Sequence, residues 1–311
     1  PLIRHWLFAL VLILASPAAG WAVSLEEISL LARSGAGELA AALVERHQPG
    51  LEESPGEWLR WEKVRLELFR VQREWQNLST RVAAYPNDLP VDFLRWAALQ
   101  RIEALLAAGD GSVARSLLRK SIWFTREAIP PELFASWRRS VVRSYLVDAL
   151  VDDARIAMLR YRQDYGDGSD EWRLLQAQVM LQAGAPAEVP TLLTGVAGID
   201  AKILLLLAEL RGGLRRASLI AHEARKLAEG KELTATQRVQ SWALAAEAAE
   251  VAKDYPGRAQ ALEQALSQPG AVDHLAGVLA LDPDDLWESY LRFGQETGNR
   301  EQLLVGQDQA W

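Results

Sequence analysis

The feature that most constrains this chain is its punctuation. From Ser24 onward, Gly- and Pro-free stretches of helix length alternate with short breaks of Gly, Pro or Asp. Ala, Leu, Glu and Arg dominate the stretches and β-branched runs are few, which favours helix by intrinsic propensity. No segment alternates apolar and polar residues as a half-buried strand does. A chain written this way is expected to be all-α. Its length would hold two ordinary domains, yet no Ser/Gly/Pro-rich linker separates two cores. One helical-repeat domain over residues 23–311 is therefore expected.

Local signals place the helix ends. Ser24, with Glu27 three residues later, is a capping-box pattern. Gly35 and Gly37 precede a helix over 38–47, Pro49-Gly50 closes it, and Ser54-Pro55 with Glu57 starts the next. Residues 57–85 lack Gly and Pro, and Trp61, Val64, Leu68, Val71, Trp75, Leu78 and Val82 fall at alternating spacings of three and four. That seam fits one long coiled-coil helix or two helices with a tight turn near residues 70–73. Helices much beyond about 20 residues are uncommon in globular chains, which favours the pair.

Further pairs are expected at 93–108 and 112–128, 132–149 and 152–165, 201–210 and 215–228, and 234–253 and 258–267, the last two separated by Tyr255-Pro256-Gly257. A short helix follows 171–183, and Asp282-Pro283-Asp284 caps a later helix carrying Trp287 and Tyr290. A small residue closes several first helices and another sits five positions on, at Gly109/Ala114, Ala149/Ala154 and Gly212/Ala217. Antiparallel helices joined by a short turn need small side chains where they cross. The intervals are 149 − 109 = 40 and 212 − 149 = 63, the second being two repeats if Gly184 marks a worn unit.

On these residues the chain resembles the tetratricopeptide-repeat family. That family's helix pair has an aromatic early in the first helix, a small residue at the turn, an Ala in the second helix and a Pro after it. Trp58, Trp61, Leu78 and Pro86 fit one such unit, and Tyr145, Ala149, Ala154 and Met158 another. Trp287 and Gly298 fit a third, with Leu303 in place of the Ala. The chain departs from the pattern where the Gly after the early Leu is missing, where Glu74 replaces the Ala of the first unit, and in its varying repeat lengths. The resemblance implies an all-α, right-handed α-solenoid of antiparallel helix pairs that binds partners, and implies no reaction.

The N-terminus carries a separate signal. Arg4 and His5 precede the apolar run Trp6 to Ala15, and Pro17 to Ala22 form a small-residue exit. This is the pattern of a cleaved secretory signal over residues 1–22. The run is ten residues long, against the roughly 20 of a spanning helix, so no permanent membrane span is expected. With no cysteine in the chain, neither disulfides nor an acylated Cys anchor are available. The simplest destination is a bacterial periplasm. The net charge is −7, and removing Arg4 with the signal makes it 33 − 41 = −8. General nucleic-acid binding needs a basic footprint instead.

No catalytic constellation is legible. His47, His222 and His274 are far apart and lie in no metal-ligand spacing, and no phosphate-binding Gly loop or nucleophile-elbow motif occurs. Helix capping accounts for Asp282, Asp284 and Asp285, since calcium needs more oxygen ligands at loop spacing. Glu288-Ser289 matches the catalytic dipeptide of lytic transglycosylases, but its neighbours do not, and the match is read as coincidence. No cofactor or metal is expected. Trp58, Trp61, Trp75, Trp96, Trp123, Trp137, Trp172, Trp242 and Trp287 mostly sit at apolar helical spacing and read as core; an exposed minority would suit a glycan such as peptidoglycan. Arg138, Arg139 and Arg143, with Arg155, Arg160 and Arg162, make the middle of the chain basic. A solvated face is the default reading; on a concave surface, Arg138, Arg139 and Arg143 would suit an acidic peptide or a glycan carboxylate.

The expectation is thus a periplasmic scaffold that binds a protein partner in cell-envelope assembly or maintenance. Two alternatives stand beside it. One is the non-catalytic helical part of a larger envelope enzyme such as a lytic transglycosylase, and the other a glycan-binding module using exposed Trp. The chain closes on Gln307-Asp308-Gln309-Ala310-Trp311 without a polar capping helix, which stacked repeats need and which is the pattern of a truncated C-terminus.

Overall fold

The computed structural model describes residues 24–124 and 129–268, together with 288, 290–292, 294 and 295; of Arg33, Trp123 and Phe124 it describes the backbone alone. Residues 1–22, the expected signal, lie outside them. Every regular element among the described residues is a helix. The chain divides into two compact units, residues 1–74 and 75–311. The division falls at a three-residue turn, with no linker. In the first unit α1 (Leu25–Arg33), α2 (Gly37–His47) and α3 (Pro55–Val71) pack on one another. The second unit holds α4 (Trp75–Ala83), α5 (Val91–Ala107), α6 (Gly111–Phe124), α7 (Pro131–Val147), α8 (Val151–Tyr165), α9 (Asp170–Gln182) and a 3₁₀ turn (Pro186–Glu188) leading into α10 (Val189–Leu192). It continues with α11 (Ile199–Arg211), α12 (Ala217–Ala228), α13 (Ala235–Val251) and α14 (Tyr255–Leu266).

The long seam of residues 57–85 is two helices. Its break comes at Gln72–Glu74, where Val71 is 40% exposed. Arg73 there has φ 58, so the helix cannot continue through it. Its N–H donates to the Arg70 carbonyl (3.3 Å), and the Glu74 N–H reaches the Phe69 carbonyl (2.8 Å). This pair of bonds is the Schellman closure, which satisfies carbonyls that a helix end leaves orphaned.

The same closure ends every first helix of a pair. The left-handed residue is Gly35 after α1, Gly109 after α5, Ala149 after α7, Gly184 after α9, Gly213 after α11 and Lys253 after α13. In each case its own N–H and the next one turn back onto the helix, as in Ala149 to Leu146 (3.1 Å) and Leu150 to Tyr145 (2.8 Å). Among the described residues, the three non-glycine residues with positive φ, Arg73, Ala149 and Lys253, all occupy this slot. Five positions after it the second helix buries a side chain: Ala40, Leu78, Ala114, Ala154, Val189 and Arg258. After Gly213 the turn is two residues longer, and Ile220 takes that place.

This corrects the expected role of the small residues. Gly109 and Ala149 recur because the turn needs a left-handed residue; side-chain size is not the reason. Ala114 and Ala154 do fill the close approach, each with no exposed surface. Gly212 and Ala217 were the wrong register: Gly212 is right-handed at φ −81, Gly213 carries the turn, and Ala217 is half-buried. Tyr255-Pro256-Gly257 is likewise the first turn of α14, where a proline's missing N–H costs nothing. The chain reverses at Lys253-Asp254 instead. The Asp254 side chain accepts from the Gly257 N–H (3.1 Å) and from Arg225 Nη2 (2.8 Å). A Cβ on Gly257 would run into Arg225 Nη2 and Asp254 Oδ2, so a larger residue there would have to push these two side-chain ends aside.

Within the second unit the first helices also touch one another in series, α5 with α7, α7 with α9, α9 with α11 and α11 with α13. The largest core cluster runs from α9 to α14 and includes Ile203, Leu204, Leu206, Leu244 and the later Tyr290. The Tyr290 hydroxyl donates to Glu263 Oε1 (3.1 Å), and burial together with that carboxylate pushes its pKa up to about 12. No described helix is long and apolar enough to cross a membrane. Described residues 288, 290–292, 294 and 295 are helical, whereas Asp282, Pro283 and Asp284 lie outside the described residues.

Two predictions follow from these turns. An L residue in the left-handed region costs roughly 1–2 kcal/mol, whereas glycine adopts it freely. Ala149→Gly is therefore expected to stabilise the chain by about 1 kcal/mol, and Gly109→Ala to destabilise it by a similar amount, in chemical denaturation. Equal signs for the two would contradict the shared conformation. At α14, Arg225 first and the Gly257 N–H second hold the Asp254 carboxyl below its usual pKa. A depressed carboxylate contributes stability that is present above the usual carboxylate range and lost as pH falls through the depressed value. Asp254→Ala should cost about 1 kcal/mol at neutral pH, and thermal melts should show that gap closing below about pH 4.

Candidate functional site

A groove of about 540 Å³ runs over the second unit. Its lining comes from first helices alone: Glu103 of α5, Ser136, Arg139, Ser140 and Arg143 of α7, Glu171, Leu174, Leu175 and Gln178 of α9, Asp200 of α11, and Thr236, Gln237 and Gln240 of α13 with its N-cap Thr234. The series of first-helix contacts creates this surface, and the residues on it follow helical spacing. Ser136, Arg139, Ser140 and Arg143 fall at i, i+3, i+4 and i+7, as do Glu171, Leu174, Leu175 and Gln178. Residues so spaced share one face of a helix.

Charges staple the groove's walls. Arg143 Nη1 donates to both oxygens of Glu103 (2.9 and 2.7 Å), tying α7 to α5, and the Ser140 hydroxyl donates to the same carboxylate (3.2 Å). Gln237 Nε2 donates to Asp200 Oδ1 (2.8 Å), tying α13 to α11. The Thr234 hydroxyl and the Gln237 side chain form a reciprocal capping box that starts α13. Arg139 donates to the Tyr161 hydroxyl (3.0 Å) and has no carboxylate within ion-pair distance among the described residues. It is the groove's uncompensated cation.

The structure separates the three arginines singled out by sequence. Arg139 and Arg143 line the groove. Arg138 pairs instead with Asp164 (3.2 Å) and lies over the Phe134 ring at 5.1 Å. Arg155, Arg160 and Arg162 are exposed on α8, a second helix, away from the lining. The groove's acids and amides on α5, α9, α11 and α13 were not singled out; the signal was the polar stripe within otherwise apolar helices, clearest at Gln237 and Gln240 in Ala-rich α13.

The described tryptophans are buried or half-buried. Trp58, Trp61, Trp137 and Trp242 are buried, and Trp75, Trp96 and Trp172 are half-buried. The side chain of Trp123, and Trp287, lie outside the described residues. No described Trp is exposed, and Trp75, Trp96 and Trp172 keep part of their surface in solvent. His47, His222 and Glu288 are exposed, and among the described residues no three His, Asp or Glu side chains are grouped to hold a metal ion. Ser289 and His274 lie outside the described residues.

No family model, no curated protein and no solved structure matches this chain. The class established here is an all-helical chain of helix hairpins, packed neighbour on neighbour and closed by left-handed turns.

The Arg143–Glu103 pair is bidentate but about a third exposed on each side, so solvent screens it. A double-mutant cycle of Arg143→Ala and Glu103→Ala is expected to give a coupling of about 0.5–1 kcal/mol. Additive single losses would mean that the pair does not join α5 to α7.

Proposed function

We propose that this chain is a tetratricopeptide-like, right-handed α-solenoid that acts as a scaffold in the cell envelope, holding an extended segment of a protein partner in its first-helix groove. The observation that carries the reading is the origin of the lining: five first helices, separated in sequence by their second helices, supply every residue of one polar groove. Such a surface has the size of a ligand cleft and mixes the groups a peptide needs. Arg139 offers a cation to an acidic side chain, Gln178 and Thr236 offer amide and hydroxyl groups to main chain, and Leu174 offers an apolar contact. The tetratricopeptide reading draws further support from the α7/α8 pair, where Tyr145 is half-buried, Ala149 makes the turn, and Ala154 and Met158 are buried. In the first of the three units, Trp58 and Trp61 belong to residues 1–74, whereas Leu78 and Pro86 belong to residues 75–311; Trp287, Gly298 and Leu303 of the third lie outside the described residues. The periplasmic assignment rests on the charged, apolar and small-residue pattern of residues 1–22.

The chain from Val23, used as bait in envelope extract, is expected to retain a defined protein. A triple variant, Arg139→Ala, Gln178→Ala and Thr236→Ala, with unchanged circular dichroism, should weaken that capture by roughly tenfold or more. Capture that survives the triple change would overturn the groove as the binding surface. Sedimentation with peptidoglycan and no protein partner would overturn the scaffold reading itself.

A further inference from the structure

The turn from α11 to α12 is longer than the other hairpin turns. After the left-handed closure at Gly213, Leu214, Arg215 and Arg216 precede the start of α12 at Ala217. α12 then directs its buried face, Ile220, Ala221, Ala224 and Ala228, mainly to α13. Between α11 and α12 this leaves a depression of about 650 Å³ that shares no residue with the first-helix groove.

The depression has an apolar interior. Ile199 and Leu206 come from α11, Leu219 and Leu227 from α12, and Leu233 from the following loop. Leu219 is 51% exposed, an apolar side chain left in water beside other apolar side chains. Cations stand on both walls, Lys202 on α11 and Lys226 and Lys231 on or just after α12, with the imidazole of His222 beside them. All four are exposed, and none makes an ion pair among the described residues. A fourth cation, Arg215, is already committed to Glu223 (2.6 Å) and Glu209 (3.2 Å). With Glu223 and Glu232 as the lining acids, the depression is basic on a chain of net charge −7.

We propose that this depression docks an acidic amphipathic helix of a protein partner. Charge complementarity selects the acid: free lysines on opposing walls would flank a helix whose polar edges carry Glu or Asp. The apolar interior selects a stripe at i, i+3, i+4 and i+7 on that helix. The twelve residues of α12 give a wall of about 18 Å, which matches about three helical turns. The concave shape suits a rod better than a flat bilayer, and three free lysines on an acidic chain are too few for a phosphate backbone.

Fluorescence anisotropy tests this with two designed helical peptides of about three turns and one leucine stripe, flanked by Glu in one and by Lys in the other. The full chain is expected to bind the acidic peptide saturably, more weakly as salt rises, and the basic peptide weakly or not at all. Combined Lys202→Glu, Lys226→Glu and Lys231→Glu should weaken the acidic peptide by roughly tenfold or more and strengthen the basic one. Leu219→Asp should weaken the acidic peptide, while Arg160→Glu, at an exposed cation of α8 that lines neither the depression nor the groove, leaves it unchanged. The lysines and Leu219 are exposed, and circular dichroism checks that each variant folds. Equal binding of the two peptides, or indifference of the acidic peptide to the lysine reversal, would overturn the proposal. So would lysine-dependent binding to vesicles of phosphatidylglycerol and phosphatidylcholine without peptide binding, which would make the surface a lipid site.

Discussion

The left-handed residue that ends each first helix is the constraint on which the rest depends. A helix leaves its last carbonyls without partners, and in this chain two backbone N–H groups turn back to satisfy them at Gly35, Arg73, Gly109, Ala149, Gly184, Gly213 and Lys253. Within each unit, two bonds made in a three-residue turn also reverse the chain. The second helix then begins at once, and its fifth position after the turn falls where Ala40, Ala114, Ala154 and Val189 are buried. Chain reversal, helix satisfaction and the first interhelical contact are thus one local event, repeated.

What that event does for function is place the first helices side by side. In the second unit each touches the next, so a polar stripe on one lies beside the polar stripe of its neighbour. Polar side chains this close to the core need partners. Ser241 satisfies itself by donating to the carbonyl one turn back (2.7 Å), and Ser140, Glu103, Arg143, Asp200 and Gln237 find their partners across helices. Among the described residues, Arg139 is the member of the set whose charge is met only by a hydroxyl. The same turn, lengthened by two residues after Gly213, leaves the basic depression between α11 and α12.

Much of the helical layout was legible because it is written in local chemistry. Ser24 with Glu27 forms the capping box that its spacing announces, and residues 57–85 break into two helices where expected. The repeat was only half legible. Glycine betrays a left-handed turn, but Arg73, Ala149 and Lys253 adopt the same conformation without a chemical mark in the sequence. The intervals between these positions run from 213 − 184 = 29 to 253 − 213 = 40 residues, so no fixed period advertises them. Pro256 misled in the opposite way: it reads as a break, yet it sits in a helix's first turn. For the groove, sequence located Arg139 and Arg143 but also Arg138, one residue away and committed to Asp164 and Phe134. The acids and amides contributed by other helices belong to the site only through tertiary neighbours, which no local spacing encodes.

The central claim is that three ordinary L residues share the conformation of four glycines. The direct measurement is backbone NMR of the chain labelled at Arg73, Ala149 and Lys253, reading φ from three-bond amide couplings and carbon shifts. The account predicts positive φ at all three, as for an isolated left-handed residue between two helices. Right-handed helical values at these positions would mean continuous helices through the turns, and would contradict the hairpins, the first-helix layer and the groove built on it.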